Sequence, residues 1–257
     1  MDESQPLQVP ISSASIEPSA PERRPFKIWS ILFLFFLLVF LPVVNFPPFV
    51  SWLMYQLTGT QLPPDFEKDI GDNRMFTYVA TMIFQWGLVA FMYLVLRLEK
   101  MRMGDIGLRG ATIRNFNIGA IFLVASIFVT YLITFGLDAI GLKVNQELDF
   151  ILPKTSAERL TWVFLAFTAG FCEEAIYRGY VISRLQFVTG GWVIGAVVSS
   201  LSFGLLHAYQ GVGNIALISI YGFLLSLLFV WRKSLVPGIF AHFLLDVFAP
   251  VLQPLGK

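Results

Sequence analysis

Residues 75–96 read MFTYVATMIFQWGLVAFMYLVL, 22 positions without one charged side chain. A helix needs about 20 mainly apolar residues to cross the hydrocarbon core of a bilayer, so this stretch is long enough to span one unaided. Residues 116–137, FNIGAIFLVASIFVTYLITFGL, repeat the pattern, again without charge. The whole chain follows suit. Of its 257 residues 56% are hydrophobic and 14% charged, where a soluble domain carries about 25% charged residues. Mean hydropathy is +0.70. Disorder and fibrous repeats are excluded by the high apolar content and the aperiodic glycines. The 26 phenylalanines and six tryptophans suit lipid-facing and interfacial surface.

Extending this reading along the chain predicts seven spans: Ile28–Val44, Met75–Leu96, Phe116–Leu137, Leu160–Tyr180, Trp192–Tyr209, Ile215–Trp231 and Leu235–Val251. The last is short and holds Pro237, Asp246 and Pro250, which suggests a broken or re-entrant helix. The fold expected is an all-α, polytopic membrane helix bundle of about seven spans. Residues 1–25, rich in Ser, Pro and Glu, read as a disordered cytoplasmic tail. Residues 26–150 supply the N-terminal transmembrane helices and 151–257 a C-terminal transmembrane region. Within the loop Asn45–Arg74, the amphipathic stretch Phe49–Leu57 suits a membrane surface or a solvated loop.

Seven spans put 12 of the 18 basic residues, among them Lys27, Lys100, Arg178 and Arg232, on one set of flanks and six on the other. Positive charge favours the cytoplasmic side, so the N-terminus is expected there, in the cell membrane if the host is bacterial. Lys+Arg 18 against Asp+Glu 17 gives nucleic acid no footing as a partner. The single cysteine, Cys172, excludes an intramolecular disulfide and any multi-cysteine metal site.

Ionisable groups within spans cost a few kcal/mol each, roughly 2.5–3.5 for Asp at a helix centre, and mark function by default. They fall in three short groups. In Phe171-Cys172-Glu173-Glu174-Ala175-Ile176-Tyr177-Arg178, the i,i+4 spacing pairs Glu174 with Arg178 and leaves Glu173 as the free carboxylate. One turn earlier, Ala169 and Gly170 let a helix or a substrate approach closely. Phe203-Gly204-Leu205-Leu206-His207 supplies one histidine, and His242-Phe243-Leu244-Leu245-Asp246 the other, with an aspartate on the same face. These are the only two histidines in the chain.

Such a set suits water activation. A carboxylate or imidazole inside a bundle takes a proton from water, while a second polar pair holds the oxyanion formed at a carbonyl. Alternatively Glu173, His207 and His242 coordinate zinc, with water at the fourth position. The expected cofactor is therefore none or one zinc ion. Other intramembrane chemistries lack their parts. There is no His-Glu-x-x-His helix and no G-x-S-x-G elbow, and Asp246 is the only aspartate within the predicted spans. Ser199, Ser200, Ser202 and Cys172 read as packing residues.

Glu-Glu-x-x-x-Arg, Phe-x-x-x-His and His-x-x-x-Asp, in that order on successive spans, resemble the motifs of the CAAX protease and bacteriocin-processing family of intramembrane endopeptidases. The resemblance covers Glu173 to Asp246. It implies Glu173 as the general base with His207 as its partner. It implies His242 and Asp246 at the oxyanion, and Glu174 and Arg178 as structural support. Many relatives carry Asn in place of Asp246; an amide donates to an oxyanion and an ionised carboxylate does not, so Asp246 instead suits orienting His242. The implied substrate is a peptide segment of a membrane-associated protein, prenylated CAAX ends being one class. The mechanism is either metallo- or glutamate-type. Two further readings use the same polar cluster: a non-catalytic scaffold or bacteriocin-immunity-type protein, and a proton-coupled transporter. The latter has no internal repeat to support it.

Depth arithmetic presents one conflict. With spans bounded as above, Glu173 and His242 lie about 10 Å from the cytoplasmic side but His207 about 22 Å from it. Either the fifth helix starts outside the membrane or tilts strongly, or His207 stays away from the site. Gly190-Gly191 is a poor fixed boundary, which favours the first.

Overall fold

The computed structural model describes residues 27–44, 71–144 and 150–251. The predicted tail at 1–25 and the stretch Phe49–Leu57 lie outside them. Among the described residues there are no strands, and seven helices match the seven predicted spans: α1 (Ile28–Val44), α2 (Arg74–Leu98), α3 (Ile113–Ala139), α4 (Ser156–Thr189), α5 (Trp192–Leu206), α6 (Val212–Arg232) and α7 (Val236–Val251). Four of them, α2, α3, α4 and α6, are long and apolar enough to cross a membrane; α1, α5 and α7 are shorter apolar helices.

Two helices depart from the α pattern. Pro42 in α1 removes one helical N–H and crowds the carbonyl a turn earlier. The backbone widens to π-helix over Phe36–Phe40 just before it, and Ser202 on α5 donates to the Leu37 carbonyl at 3.1 Å. In α4 the π-helical stretch runs over Glu174–Val181, all of it buried. Such bulges recur at functional sites.

Helix α4 starts at a capping box, with the Thr155 hydroxyl accepting from the Glu158 N–H and the Glu158 carboxylate accepting from the Thr155 N–H. It stops at Gly190, where φ of +77° requires a residue without Cβ strain. Its 34 residues correct the expected span of Leu160–Tyr180, since the helix does not stop at the polar motif but continues about three turns beyond it. Helix α7 corrects a second expectation. It is unbroken, because Pro237 falls in the first turn, where no intrahelical N–H is needed.

Helix α4 is the organising element. It packs against α2 and α7, and its C-terminal part lies along α5; α5 in turn packs on α6, and α7 on α3. Phe33, Leu37, Met92, Leu96, Ile106 and Tyr180 are buried between them. The outer face of α3 exposes Ile121, Val124, Phe128, Tyr131 and Phe135, an inside-out distribution that fits lipid and not water as the surrounding medium.

Polar tethers close the two ends. At one end the Lys27 N–H donates to Glu99 at 2.9 Å, and Arg184 pairs with Glu99 at 3.1 Å. There too Arg232 donates to Asn115 at 3.0 Å, and the Leu235 N–H to the Gly107 carbonyl at 2.8 Å. At the other end Arg74 donates to the Phe150 carbonyl at 2.9 Å and the Tyr78 hydroxyl to the Ile151 carbonyl. Arg178, counted above as a flank charge, is fully buried in the interior and belongs to neither end.

Candidate active site

The register between α4 and α7 sets the site. The Trp162 indole N–H donates to the Asp246 carbonyl at 2.8 Å. Two turns further along α4, Gly170 meets the α7 backbone so closely that an added Cβ would lie 2.9 Å from the Phe243 nitrogen. The small residue before the acids thus admits a neighbouring helix, as its type predicts. One more turn brings Glu173 and Glu174 level with His242.

His242 is the centre of the cluster. Its Nδ1 lies 3.2 Å from Glu174 Oε1, and its Nε2 lies 3.7 Å from Glu173 Oε2 and 3.5 Å from Asp246 Oδ2. One imidazole therefore touches three carboxylates. Glu174 also carries the expected ion pair, at 2.9 Å from Arg178 Nη1, with both side chains buried. The Arg178 guanidinium lies 4.4 Å from the centre of the Phe203 ring. Glu174 thus has two tasks, since it neutralises Arg178 and orients His242, where the sequence suggested only the first. Exposure divides the acids: Glu174 is 1% exposed, whereas Glu173 is 17% and Asp246 30%. The accessible pair is the one facing His242 Nε2.

His207 is brought near without joining these contacts. Its Nδ1 pairs with the Phe203 carbonyl at 2.9 Å, within its own helix. The Phe203 ring packs against both histidines, with centroids 5.0 Å from His207 and 6.1 Å from His242. The depth conflict disappears with the longer α4. From Glu173 to Thr189 the helix advances about 24 Å, and α5 returns about 22 Å from Trp192 to His207. Both side chains are thereby brought to one level.

Gln85 on α2 was not singled out from the sequence. Its Nε2 donates to Glu173 Oε1 at 2.9 Å. The available signal was a lone amide in a 22-residue stretch free of charge. Next to it, Trp86 donates to Thr168 at 3.2 Å and stacks on Phe171 with centroids 5.2 Å apart, which docks α2 on α4. Ser199 and Ser200 donate to backbone carbonyls, and Cys172 is buried. All three occupy packing positions.

The proposed zinc set does not form a ready coordination triad. Among the described residues no three His, Cys, Asp or Glu side chains are grouped so as to hold a metal ion. Glu173 and His242 are neighbours, whereas His207 pairs with the Phe203 carbonyl.

Residues 155–248 match the family model described as Rce1-like, type II CAAX prenyl endopeptidase. The matched segment contains all seven residues of the three motifs, and it agrees with the resemblance read from them. Neither the curated proteins nor the solved structures produced a match. The apolar helices and the matched family together define an integral membrane protein.

Proposed function

We propose that this protein is an intramembrane endopeptidase of glutamate type, cleaving a peptide segment of a membrane-associated protein, with prenylated CAAX ends as the first substrate class to test. The observation that carries the reading is the pairing of a partly exposed carboxylate, Glu173, with His242 Nε2 at 3.7 Å. At that separation a single oxygen atom can lie within hydrogen-bond reach of both groups.

In this reading Glu173 takes a proton from water as the water oxygen bonds to the substrate carbonyl carbon. His242, oriented by Glu174 at Nδ1, presents Nε2 to the developing charge. Collapse of the tetrahedral species breaks the C–N bond, and the proton held on Glu173 passes to the leaving amine. Asp246, 3.5 Å from the same Nε2, flanks the site beside Glu173 and cannot itself donate to an oxyanion as an ionised carboxylate, so orienting the ring falls to Glu174 at Nδ1. His207 has one ring nitrogen engaged by Phe203, which leaves Nε2 for the substrate. Glu174 and Arg178 hold α4 together beneath the site. Hydrolysis of a prenylated CAAX reporter peptide in proteoliposomes, compared between wild type and Glu173→Gln, tests the assignment.

This reading takes the metal-free route, in which Glu173 and His242 act without a zinc ion. Dialysis against a zinc chelator is expected to leave reporter turnover within about twofold, the level of a surface effect rather than a lost catalytic group. Loss of turnover restored by zinc would transfer Glu173 and His242 to a metal mechanism.

Orientation follows from the end carrying Lys27, Arg97, Lys100, Arg102 and Arg232, which we assign to the cytoplasm. In a Cys172→Ala background in intact cells, a membrane-impermeant thiol reagent is expected to label Lys154→Cys and not Lys100→Cys. The reverse pattern would invert the topology.

A further inference from the structure

We propose that Gln85 is the positioning residue for the base: its amide fixes the Glu173 carboxylate so that Oε2, and not Oε1, faces His242 and the substrate. The inference rests on the endopeptidase reading and extends the site into the N-terminal half of the chain, outside the matched segment 155–248.

The direction of the amide is set by chemistry. An ionised carboxylate only accepts hydrogen bonds, so the NH2 end of Gln85 must face Glu173 Oε1, at 2.9 Å. The carbonyl end then points away, and Gln85 Oε1 is buried without a hydrogen-bond partner among the described residues. An unmet buried acceptor is unfavourable, and a methionine of similar size would fill the span without it. The helix nevertheless keeps an amide with one end satisfied, and that end is on the base.

Gln85 is not required to dock α2 on α4. Trp86 does so already, through Thr168 and the Phe171 ring, and Tyr78 lies edge-on against Trp162 two turns away with centroids 5.3 Å apart. What Gln85 adds, among the described residues, is a hydrogen-bond donor to Glu173 Oε1. A glutamate side chain has three rotatable bonds, and pinning one oxygen selects which lone pairs face the site. A misplacement of a reacting group by about 1 Å can cost about 10²-fold in rate.

The test uses the full chain in proteoliposomes with the prenylated CAAX reporter peptide. Gln85→Met is expected to lower kcat by up to about 10²-fold with KM within about twofold and the thermal midpoint unchanged. Gln85→Glu is expected to lower kcat further, since it sets a second carboxylate against Glu173. A residue with only a packing role would move the midpoint together with kcat. Gln85→Met turning over like wild type, while Glu173→Gln is inert, overturns this inference alone. Glu173→Gln as active as wild type, or a wild type inert on the reporter, overturns the endopeptidase reading, and the inference with it.

Discussion

Glu173→Gln is expected to lower reporter turnover by about 10²–10⁴-fold, the usual contribution of a positioned general base. The substitution is close to isosteric and keeps a hydrogen-bonding partner for Gln85, so the bundle keeps its melting temperature. An amide, however, cannot take a proton from water. The site leaves no ready substitute. Glu174 is committed to Arg178 at 2.9 Å and to His242 Nδ1 at 3.2 Å, and only 1% of it is exposed. Asp246 lies on the same side of His242 as Glu173, 3.5 Å from Nε2, and is the one acid placed to carry residual activity. The measurement is initial rate against substrate concentration for folded, matched preparations. Turnover within twofold of wild type would remove Glu173 from the chemistry.

The second large effect is on stability. Arg178→Met is expected to destabilise the protein by about 3–5 kcal/mol, because it leaves the Glu174 charge uncompensated in the interior. Arg178 is fully buried, lies against the Phe203 ring at 4.4 Å and faces Gly222 on α6. The residue therefore joins α4, α5 and α6. The double variant Glu174→Gln, Arg178→Met is expected to recover most of the lost stability, since it buries no net charge. It should not recover turnover, since His242 then lacks the carboxylate at Nδ1. Thermal unfolding in detergent separates the outcomes. An Arg178→Met single variant that melts with wild type would show that the pair does not hold the bundle.

Hydropathy alone identified all seven helices, because a bilayer tolerates only backbone that satisfies its own hydrogen bonds. Helix ends were less legible. No glycine or proline follows Tyr180 until Gly190, so α4 runs on to Thr189, and the apparent mismatch in depth of His207 came from ending it too soon. The six ionisable motif residues were legible because ionisable groups are scarce in this chain and conspicuous in apolar spans. Gln85 was missed because a neutral amide costs less in a span and carries no charge to draw attention. The dual partnership of Glu174 was also invisible, since spacing within one helix reveals the Arg178 contact but not a histidine 68 residues away.

The sequence by itself therefore determined a helical membrane protein, the order of its spans and the residue types available for chemistry. These follow from local hydropathy and from the cost of burying charge. Only the tertiary structure decided which oxygen of which acid faces His242, that Phe203 packs against both histidines, and that α2 reaches into the site through Gln85. Those are relations between helices, created when close approach at Gly170 and the length of α4 fix how far each helix slides along its neighbour.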